Sequence, residues 1–366
     1  MSSFPSSTSE KSSSNASLPW LALTMGDPAG VGPEILVRCW QDPAFHQMGN
    51  LLAVGHPEIF RQAAHLFAPG LRVVEVSDPH EIQPSCEMMP CLGIGLDADF
   101  TFEPKQVSAA GGEVAYRALV RAAELAQSGE VQAITTAPLC KESLHAAGHF
   151  YPGHTELLAE LCGIEEVAMM LYLAPDELVK APAGLGIAHV TLHTAMRNIF
   201  DQLTQEAIAA KIQLTHQVMH WLKGSAPRIG VAALNPHGGE NGLFGEEEIQ
   251  QIQPAVTAMQ SQGINVQGPF PTDTLIYSAA REGTYDGLVA MYHDQGHIAL
   301  KLLGFHRAVN ITLGLPIVRT SVAHGTAFDL AWQGKAELNS LREAVRVAVI
   351  LANCRAAERL QLAKTP

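Results

Sequence analysis

Histidines follow three of the apolar runs in this sequence. His193 comes after GLGIAHVTL, His237 after RIGVAALNP, and His293 directly after GLVAMY. Loops at the carboxyl ends of parallel strands carry the ligand-binding groups of open α/β sheets, so we expect the three imidazoles to share one site. Three neutral imidazoles can hold a zinc-like ion and leave positions open for substrate and water. A single strand-end histidine is more often a satisfied polar residue, and the spacing does not prove that the three converge.

The third histidine belongs to the stretch MYHDQGHIALK, from Met291 to Lys301, which raises a question of its own. His293 and His297 are four residues apart, with Asp294 between them. Imidazole and carboxylate groups at a strand end can bind a metal or transfer protons. The residues alone leave open whether His297 is a second metal ligand or a neighbour of one.

Two further segments offer groups for an anionic substrate. The segment TAPLCKESLHAAGHFYPGHTE provides His154 and Thr155, and Thr155 is placed to cap the helix TELLAELCG. A helix N-terminus attracts phosphate or carboxylate, although a plain cap is an equal interpretation of Thr155. Lys301, Asn310 and Arg319 follow further along the chain. A charge such as that of Arg319 at the end of a buried run must be paired or must hold a ligand.

A glycine-rich loop, TMGDPAGVGPE, follows the first apolar run. Its glycines permit tight turns and its prolines stiffen it. It matches neither G-x-G-x-x-G nor the P-loop, so the sequence supports neither a Rossmann-type nor a kinase-like nucleotide site.

Short apolar runs alternate with amphipathic segments along the chain. We predict strands in LALTM, LLAVG, VQAITTAP, EVAMMLYL, GLGIAHVTL, RIGVAALNP, GLVAMY and AVNITLGLPIV. We predict helices in EVAYRALVRAAELAQSG, TELLAELCG, RNIFDQLTQEAIAAKIQLTHQVMHWLKG and EEEIQQIQPAVTAMQSQG. This alternation predicts an α/β fold with a mainly parallel sheet. The segment from Pro175 to Gly186 is either an inter-domain connection or a surface loop.

Composition and charge exclude several classes of protein. The 366 residues carry a net charge of -13, which argues against binding to nucleic acid or to a membrane surface. With 47% hydrophobic residues the chain has material for about two domains. The six cysteines form no C-x-x-C pair, which favours reduced thiols and a cytoplasmic location. Residues 1–18 are rich in serine and are predicted to be a disordered tail.

Many segments together resemble the 4-hydroxythreonine-4-phosphate dehydrogenase family of pyridoxal phosphate biosynthesis. They occur in the expected order between about residues 21 and 335: TMGDPAGVGPE, TAPLCKE, YPGHTE, LHTAMRNI, LNPHGGENGLFGEEE, GPFPTDTL, YDGLVAMYHDQG, FHRAVNITLGLPIVRTS and HGTAFDLA. The resemblance implies two α/β/α domains of the isocitrate/isopropylmalate dehydrogenase type with a cleft between them. One domain would comprise residues 19–145 plus about 320–366, and the other about 146–319. It also implies a homodimer with the active site near the interface.

The same resemblance implies roles for individual residues. The metal ligands would be His193, His237 and His293, the last supplied by the partner subunit. The substrate-binding residues would be His154, Thr155, Lys301, Asn310 and Arg319. Asp273 and Asp294 match acidic positions near the metal, and with Lys301 they are the candidate catalytic residues; which aspartate orients a histidine or relays a proton stays open.

The reaction that the resemblance implies is an oxidation by NAD or NADP with one divalent metal, zinc, magnesium or cobalt. The substrate would be a phosphorylated hydroxy amino acid, 4-phosphooxy-L-threonine. Oxidation of its 3-hydroxyl yields 2-amino-3-oxo-4-phosphooxybutanoate, which decarboxylates to 3-amino-2-oxopropyl phosphate in pyridoxine 5'-phosphate synthesis.

Two departures from the family pattern bear on the substrate. His297 stands where an apolar residue is common, and Ala323 stands where an Asp is common. Paralogues in the family act on 4-phospho-D-threonate, 4-phospho-D-erythronate or a cyclic diol carboxylate, and these remain alternatives. A metal-dependent lyase or hydrolase without a nicotinamide, and a non-catalytic metabolite-binding protein, are the competing hypotheses from other classes.

Overall fold

The computed structural model describes residues 18–96 and 100–362, so the predicted tail lies outside the described residues except for Leu18. The strands are β1 Trp20–Thr24, β2 Asn50–Gly55, β3 Arg72–Val76, β4 Met88–Gly93, β5 Ala133–Thr136, β6 Ala168–Leu173, β7 Leu185–His189, β8 Ile229–Ala232, β9 Val266–Phe270, β10 Gly287–Ala290, β11 Val309–Leu313 and β12 Val318–Val322. The helices are α1 Gly32–Trp40, α2 Pro43–Met48, α3 Pro57–Phe67, α4 Ala109–Ser128, α5 Lys141–Ala146, α6 His154–Cys162, α7 Ile199–Gln202, α8 Gln205–Lys223, α9 Gln253–Ser261, α10 Thr272–Tyr277, α11 His293–Gly304 and α12 Asn339–Leu362. Within the described ranges, the model contains no helix that is both long and apolar enough to cross a membrane.

The strands form one sheet in the order β3-β4-β2-β1-β5-β12-β11-β6-β7-β10-β8-β9. Among the described strands, the pairs β12–β11, β11–β6 and β6–β7 are antiparallel and the others are parallel. The predicted α/β fold with a mainly parallel sheet is therefore confirmed. The direction of the strands changes near the middle of the sheet, and such a switch point is where open α/β sheets bind ligands.

Each apolar run that was predicted as a strand includes an observed strand. The run AVNITLGLPIV includes β11 and leads into β12, and the two strands pair as an antiparallel hairpin. Three of the four predicted helices, α4, α6 and α8, end at their final glycine, Gly129, Gly163 or Gly224, in the left-handed conformation. The fourth, α9, ends at Ser261, before the predicted Gly263. Thr204 divides the long predicted helix, because its hydroxyl accepts a hydrogen bond from the N–H of Ala207 and so caps α8. The segment from Pro175 to Gly186 is a loop between the antiparallel strands β6 and β7, and its last two residues begin β7.

The sheet has two halves in sequence. The strands β3, β4, β2, β1, β5 and β12 come from residues 20–136 and 318–322, whereas the other six come from residues 168–313. This division follows the predicted domain boundaries, and the domains themselves stay a prediction. The two halves meet at β12 and β11, next to the change in strand direction, so this is where a ligand site is expected.

Candidate active site

A cavity of about 190 Å³ lies where the two halves of the sheet meet. Its walls come from the carboxyl end of β5, from β11 and β12, and from the first turn of α6. The lining includes six of the predicted site residues: His154, Thr155, His193, His293, Asn310 and Arg319. Residues from distant parts of the chain therefore meet at the position that the strand-end rule indicates.

Arg319 is the buried cation of this cavity, with 1% of its surface exposed. Its Nη1 donates to the hydroxyl of Thr312 at 3.0 Å and its Nη2 to that of Thr136 at 2.7 Å. Its Nε has no partner, and within the described residues no carboxylate forms an ion pair with it. Burial lowers the pKa of Arg319 to about 9, so the guanidinium is still charged at pH 7. A buried cation without an anion is a site for an anionic ligand.

The first turn of α6 provides a second group for an anion. The helix begins at His154, and Gly153 at the N-cap supplies no side-chain hydrogen bond, so the predicted capping by Thr155 is wrong. Thr155 instead lies in the first turn, whose N–H groups have no helical partners and can bind phosphate or carboxylate. Burial and the nearby Arg319 hold the pKa of His154 well below its usual value, so this imidazole is neutral.

Asn310 presents an acceptor to the same cavity. Its Nδ2 lies 3.2 Å from the sulfur of Met169, and its buried Oδ1 has no hydrogen-bond partner. A buried amide oxygen without a donor is costly unless a ligand supplies one. The side chain is therefore placed to accept a hydrogen bond from a substrate hydroxyl or N–H.

His193 and His293 come together from neighbouring strands. They follow β7 and β10, which pair in parallel, and their ring centroids are 6.3 Å apart. Asp294 Oδ1 lies 2.7 Å from His293 Nδ1, which orients that ring, and Glu156 Oε1 lies 3.7 Å from His193 Nδ1. Two imidazoles held by carboxylates fit a divalent metal of the zinc type.

The other four predicted residues do not line this cavity: His237, Asp273, Asp294 and Lys301. His237 is exposed in the loop after β8, the other neighbour of β10, and its ring lies 6.4 Å from that of Phe244. Lys301 lies over the ring of Phe305, and Asp273 caps the N–H of Thr274. In the described part of one chain, no three His, Cys, Asp or Glu side chains are close enough to hold a metal. The three-histidine metal site stays a prediction.

Two residues of the site were not predicted from the sequence. Glu156 lines the cavity, and burial raises its pKa less than His193 and its other partners lower it, so it is ionised. It follows His154 and Thr155 in YPGHTE, and that proximity was the available signal. His189 is the last residue of β7 and is fully buried. The sequence search considered residues that follow each strand, and including the last residue of the strand would have found His189.

Acid should destabilise the fold through His189. Burial lowers its pKa from 6.5 to about 4, so the unfolded chain takes up this proton at a higher pH than the folded chain does. The stability that neutral His189 contributes is fully present above pH 6.5 and is lost as the pH falls toward 4. The loss lowers the free energy of unfolding by roughly 3 kcal/mol. Urea denaturation between pH 7.5 and 4.5 should show a shallower decline for His189→Phe than for wild type. The exposed His65→Gln is the matched control, and equal slopes for wild type and His189→Phe would contradict the prediction.

Comparison with known proteins identifies relatives along nearly the whole chain. The model of the family described as pyridoxal phosphate biosynthetic protein PdxA matches residues 47–348. A D-threonate 4-phosphate dehydrogenase of Pectobacterium atrosepticum is 44% identical over 333 residues, covering 91% of this chain and 99% of that protein. A 4-hydroxythreonine-4-phosphate dehydrogenase of Trichlorobacter lovleyi is 44% identical over 344 residues, covering 93% and 100%. The crystal structure of a 4-hydroxythreonine-4-phosphate dehydrogenase from Klebsiella pneumoniae matches with a TM-score of 0.80 at 43% identity, covering 91% of this chain and 99% of that one.

The fold and the cavity are those of an α/β protein with anion-binding groups near the centre of its sheet. The chain belongs to the family of the pyridoxal phosphate biosynthetic protein PdxA, which confirms the resemblance seen in its sequence, and it is a dehydrogenase, hence an oxidoreductase. The names of the two relatives given above denote phosphorylated substrates, one D-threonate 4-phosphate and the other 4-hydroxythreonine 4-phosphate.

Proposed function

We propose that the chain catalyses the metal-assisted, NAD(P)-dependent oxidation of the 3-hydroxyl of a four-carbon 4-phosphorylated acid. The observation that carries this proposal is Arg319, a buried guanidinium that no carboxylate of the described residues pairs. It shares its cavity with the N-terminus of α6 and with two imidazoles. Anion-binding groups beside candidate metal ligands suit a substrate that carries a phosphate or carboxylate near a reactive hydroxyl.

In this reaction the residues of the cavity bind and orient the substrate. Arg319 and the first turn of α6 hold its anionic groups, and Asn310 Oδ1 accepts a hydrogen bond that fixes its rotation. Asp294 acts as a positioning residue for His293, and Lys301 adds a further cation at the edge of the site. A divalent metal, when bound, lowers the pKa of a coordinated hydroxyl, so that proton loss and hydride transfer become feasible near neutral pH. The 3-oxo product is a β-keto acid, which can lose its carboxylate as carbon dioxide.

The metal would be held by His193, His237 and His293. Imidazole ligands favour zinc or cobalt over magnesium, which prefers oxygen ligands. Since His237 lies outside the cavity of its own chain, completing this set requires either movement of its loop or a second subunit.

We propose a homodimer that brings the remaining residues to the site. Ile298 and Leu302 on α11 and Phe305 just after it form an apolar stripe, with exposed fractions of 57%, 82% and 48%. Large exposed apolar side chains spaced four and three residues apart are typical of a helix that packs against another surface. Lys301 lies on the same helix, so a partner packed there would lie close to the site.

Two substrates compete for this function, 4-phosphooxy-L-threonine and the 2-hydroxy acid 4-phospho-D-threonate. The charge of the cavity favours the second. Glu156 is the only carboxylate among its described lining residues, and Ala323 supplies none where the family commonly has an Asp. An ammonium group at C2 would lie near Arg319 with little negative charge to offset it, whereas a hydroxyl needs none.

Turnover assays test the proposal and separate its alternatives. With zinc, cobalt or magnesium and either NAD or NADP, we expect nicotinamide reduction with 4-phospho-D-threonate to exceed that with 4-phosphooxy-L-threonine. Threonate without phosphate should lose at least about 100-fold in kcat/KM, because it lacks the contacts that the phosphate makes. 4-Phospho-D-erythronate and a cyclic diol carboxylate complete the series. Product formation without nicotinamide reduction would instead indicate a lyase or hydrolase.

A further inference from the structure

Beneath the candidate metal ligands lies a pair of buried histidines that the proposed mechanism does not use. His189 at the end of β7 is 0% exposed and His297 on α11 is 7% exposed. His297 Nδ1 lies 3.1 Å from His189 Nε2, and the ring of His297 stacks on that of His293 with centroids 3.7 Å apart. Gly296 makes this packing possible, because a Cβ there would lie 2.5 Å from His189 Nε2. Any larger residue at position 296 would therefore collide with the ring of His189.

The hydrogen bonds of the pair determine which nitrogens carry protons. His189 Nδ1 lies 3.3 Å from the backbone oxygen of Met169, and a carbonyl can only accept, so Nδ1 donates. Neutral His189 therefore has its lone pair on Nε2, and His297 Nδ1 must donate to it. Burial of both rings disfavours their charged forms. Met169 thus fixes the tautomer of His297 through His189.

The remaining nitrogen of His297 is Nε2, which in this tautomer carries a lone pair and no proton. His297 lines the cavity together with Arg319 and Asn310. While His297 is neutral, it cannot donate through Nε2 without losing the hydrogen bond from its Nδ1 to His189. The site therefore presents a hydrogen-bond acceptor of fixed character.

We propose that His297 is a specificity-determining residue whose Nε2 accepts a hydrogen bond from the C2 hydroxyl of a 2-hydroxy acid, and that His189 is its positioning residue. This inference rests on the proposed function. In a four-carbon 4-phosphorylated acid, the C3 hydroxyl is the reacting group and C4 carries the phosphate. The C2 substituent is the remaining donor, a hydroxyl in threonate phosphate and an ammonium in the amino acid.

The ammonium also donates hydrogen bonds, but its charge sets it apart from the hydroxyl. Arg319 and Lys141 line the cavity as cations, against the single carboxylate of Glu156 among the described lining residues. A neutral imidazole offers an ammonium no compensating charge, whereas it fully satisfies a neutral hydroxyl. His297 thereby selects the 2-hydroxy acid over the 2-amino acid.

A cycle of variants and substrates tests this role. We would measure the Kd by calorimetry without nucleotide, and kcat/KM, for wild type and His297→Leu with 4-phospho-D-threonate and with its 2-deoxy analogue. Wild type should prefer the hydroxylated acid by about 10- to 100-fold, and His297→Leu should lose most of that preference while binding the 2-deoxy analogue as wild type does. His297→Gln, which keeps an acceptor, should recover part of it. The metal content should be unchanged in both variants.

Several results would overturn the inference. Equal losses of His297→Leu on both acids would show a structural role, and a retained preference for the C2 hydroxyl would show that another group binds it. His189→Leu should also weaken the preference, by less than His297→Leu, and full retention would remove His189 from the relay. Failure of the proposed function has a different signature: wild type would reduce no nicotinamide with any of the acids, whereas the calorimetric cycle would still report on His297.

Discussion

Replacing Arg319 by methionine should lower kcat/KM for the phosphorylated acid by about 10³-fold and leave the free energy of unfolding nearly unchanged. A guanidinium can make two charge-assisted hydrogen bonds to an anion, each contributing about 1.5–3 kcal/mol, and about 4 kcal/mol is a factor of about 10³. Methionine removes the cost of burying this unpaired cation but also loses the hydrogen bonds to Thr136 and Thr312, and the two effects oppose each other. Steady-state kinetics and urea denaturation of the same preparations measure both effects.

Two matched variants define what is lost. Arg319→Lys keeps the charge without the planar fork, and we expect an intermediate loss of kcat/KM. Arg307 is ion-paired with Asp176 outside the cavity, so Arg307→Met should leave kcat/KM unchanged. A wild-type kcat/KM for Arg319→Met would remove Arg319 from substrate binding and, with it, the main support for the proposed function.

Replacing His237 by alanine should have an effect of similar size, because it would remove one of three ligands from the predicted metal site. Metal assistance contributes several kcal/mol, so we expect turnover after metal reconstitution to fall by about 10³-fold or more. The metal bound per protomer should fall as well. His216→Ala, on α8 and outside the predicted ligand set, is the matched control. Turnover like that of wild type for His237→Ala would contradict the metal role.

Mixing two inactive variants shows whether two subunits build each site. If His293 comes from the partner, a heterodimer of His193→Ala and His293→Ala subunits has one site with both defects and one intact site. Equal mixing should then restore about a quarter of the wild-type turnover. Each chain by itself places His193 and His293 with ring centroids 6.3 Å apart. No recovery after verified subunit exchange would mean that each chain uses its own pair.

The apolar pattern predicted the interior of the sheet well and its edges poorly. Strands such as β7 and β10, buried on both faces, appear as continuous apolar runs, and the histidines that follow them were found by that rule. The missed strands β3, β4 and β9 lie at or next to the two edges of the sheet. Their sequences, RVVEV, MMPCLG and VQGPF, include polar residues, glycine and proline, because an edge strand need not be apolar on both faces.

The candidate site was predicted residue by residue, but its geometry was not. The predicted run AVNITLGLPIV was treated as one strand, but it contains β11, a turn and the first residue of β12. These two antiparallel strands place Asn310 and Arg319 in the same cavity. The position of His237 depends on a loop in which it, Glu240 and Asn241 adopt positive φ. Such conformations of non-glycine residues are set by tertiary packing and have no reliable sequence signal. The tautomer of His297 likewise depends on a carbonyl on β6, which only the fold brings within reach.

The β11–β12 hairpin also has a mechanical consequence. Its backbone ladder, in which Asn310 pairs with Ser321 and Thr312 with Arg319, is the seam that joins the two halves of the sheet. A hinge at this seam would break ladder hydrogen bonds, so we expect any narrowing of the cavity to occur by a change in sheet twist, which would spread the deformation over many strands. Ligand binding would therefore stiffen the hairpin, and slower amide exchange in β11 and β12 is the expected signature of substrate in the cavity.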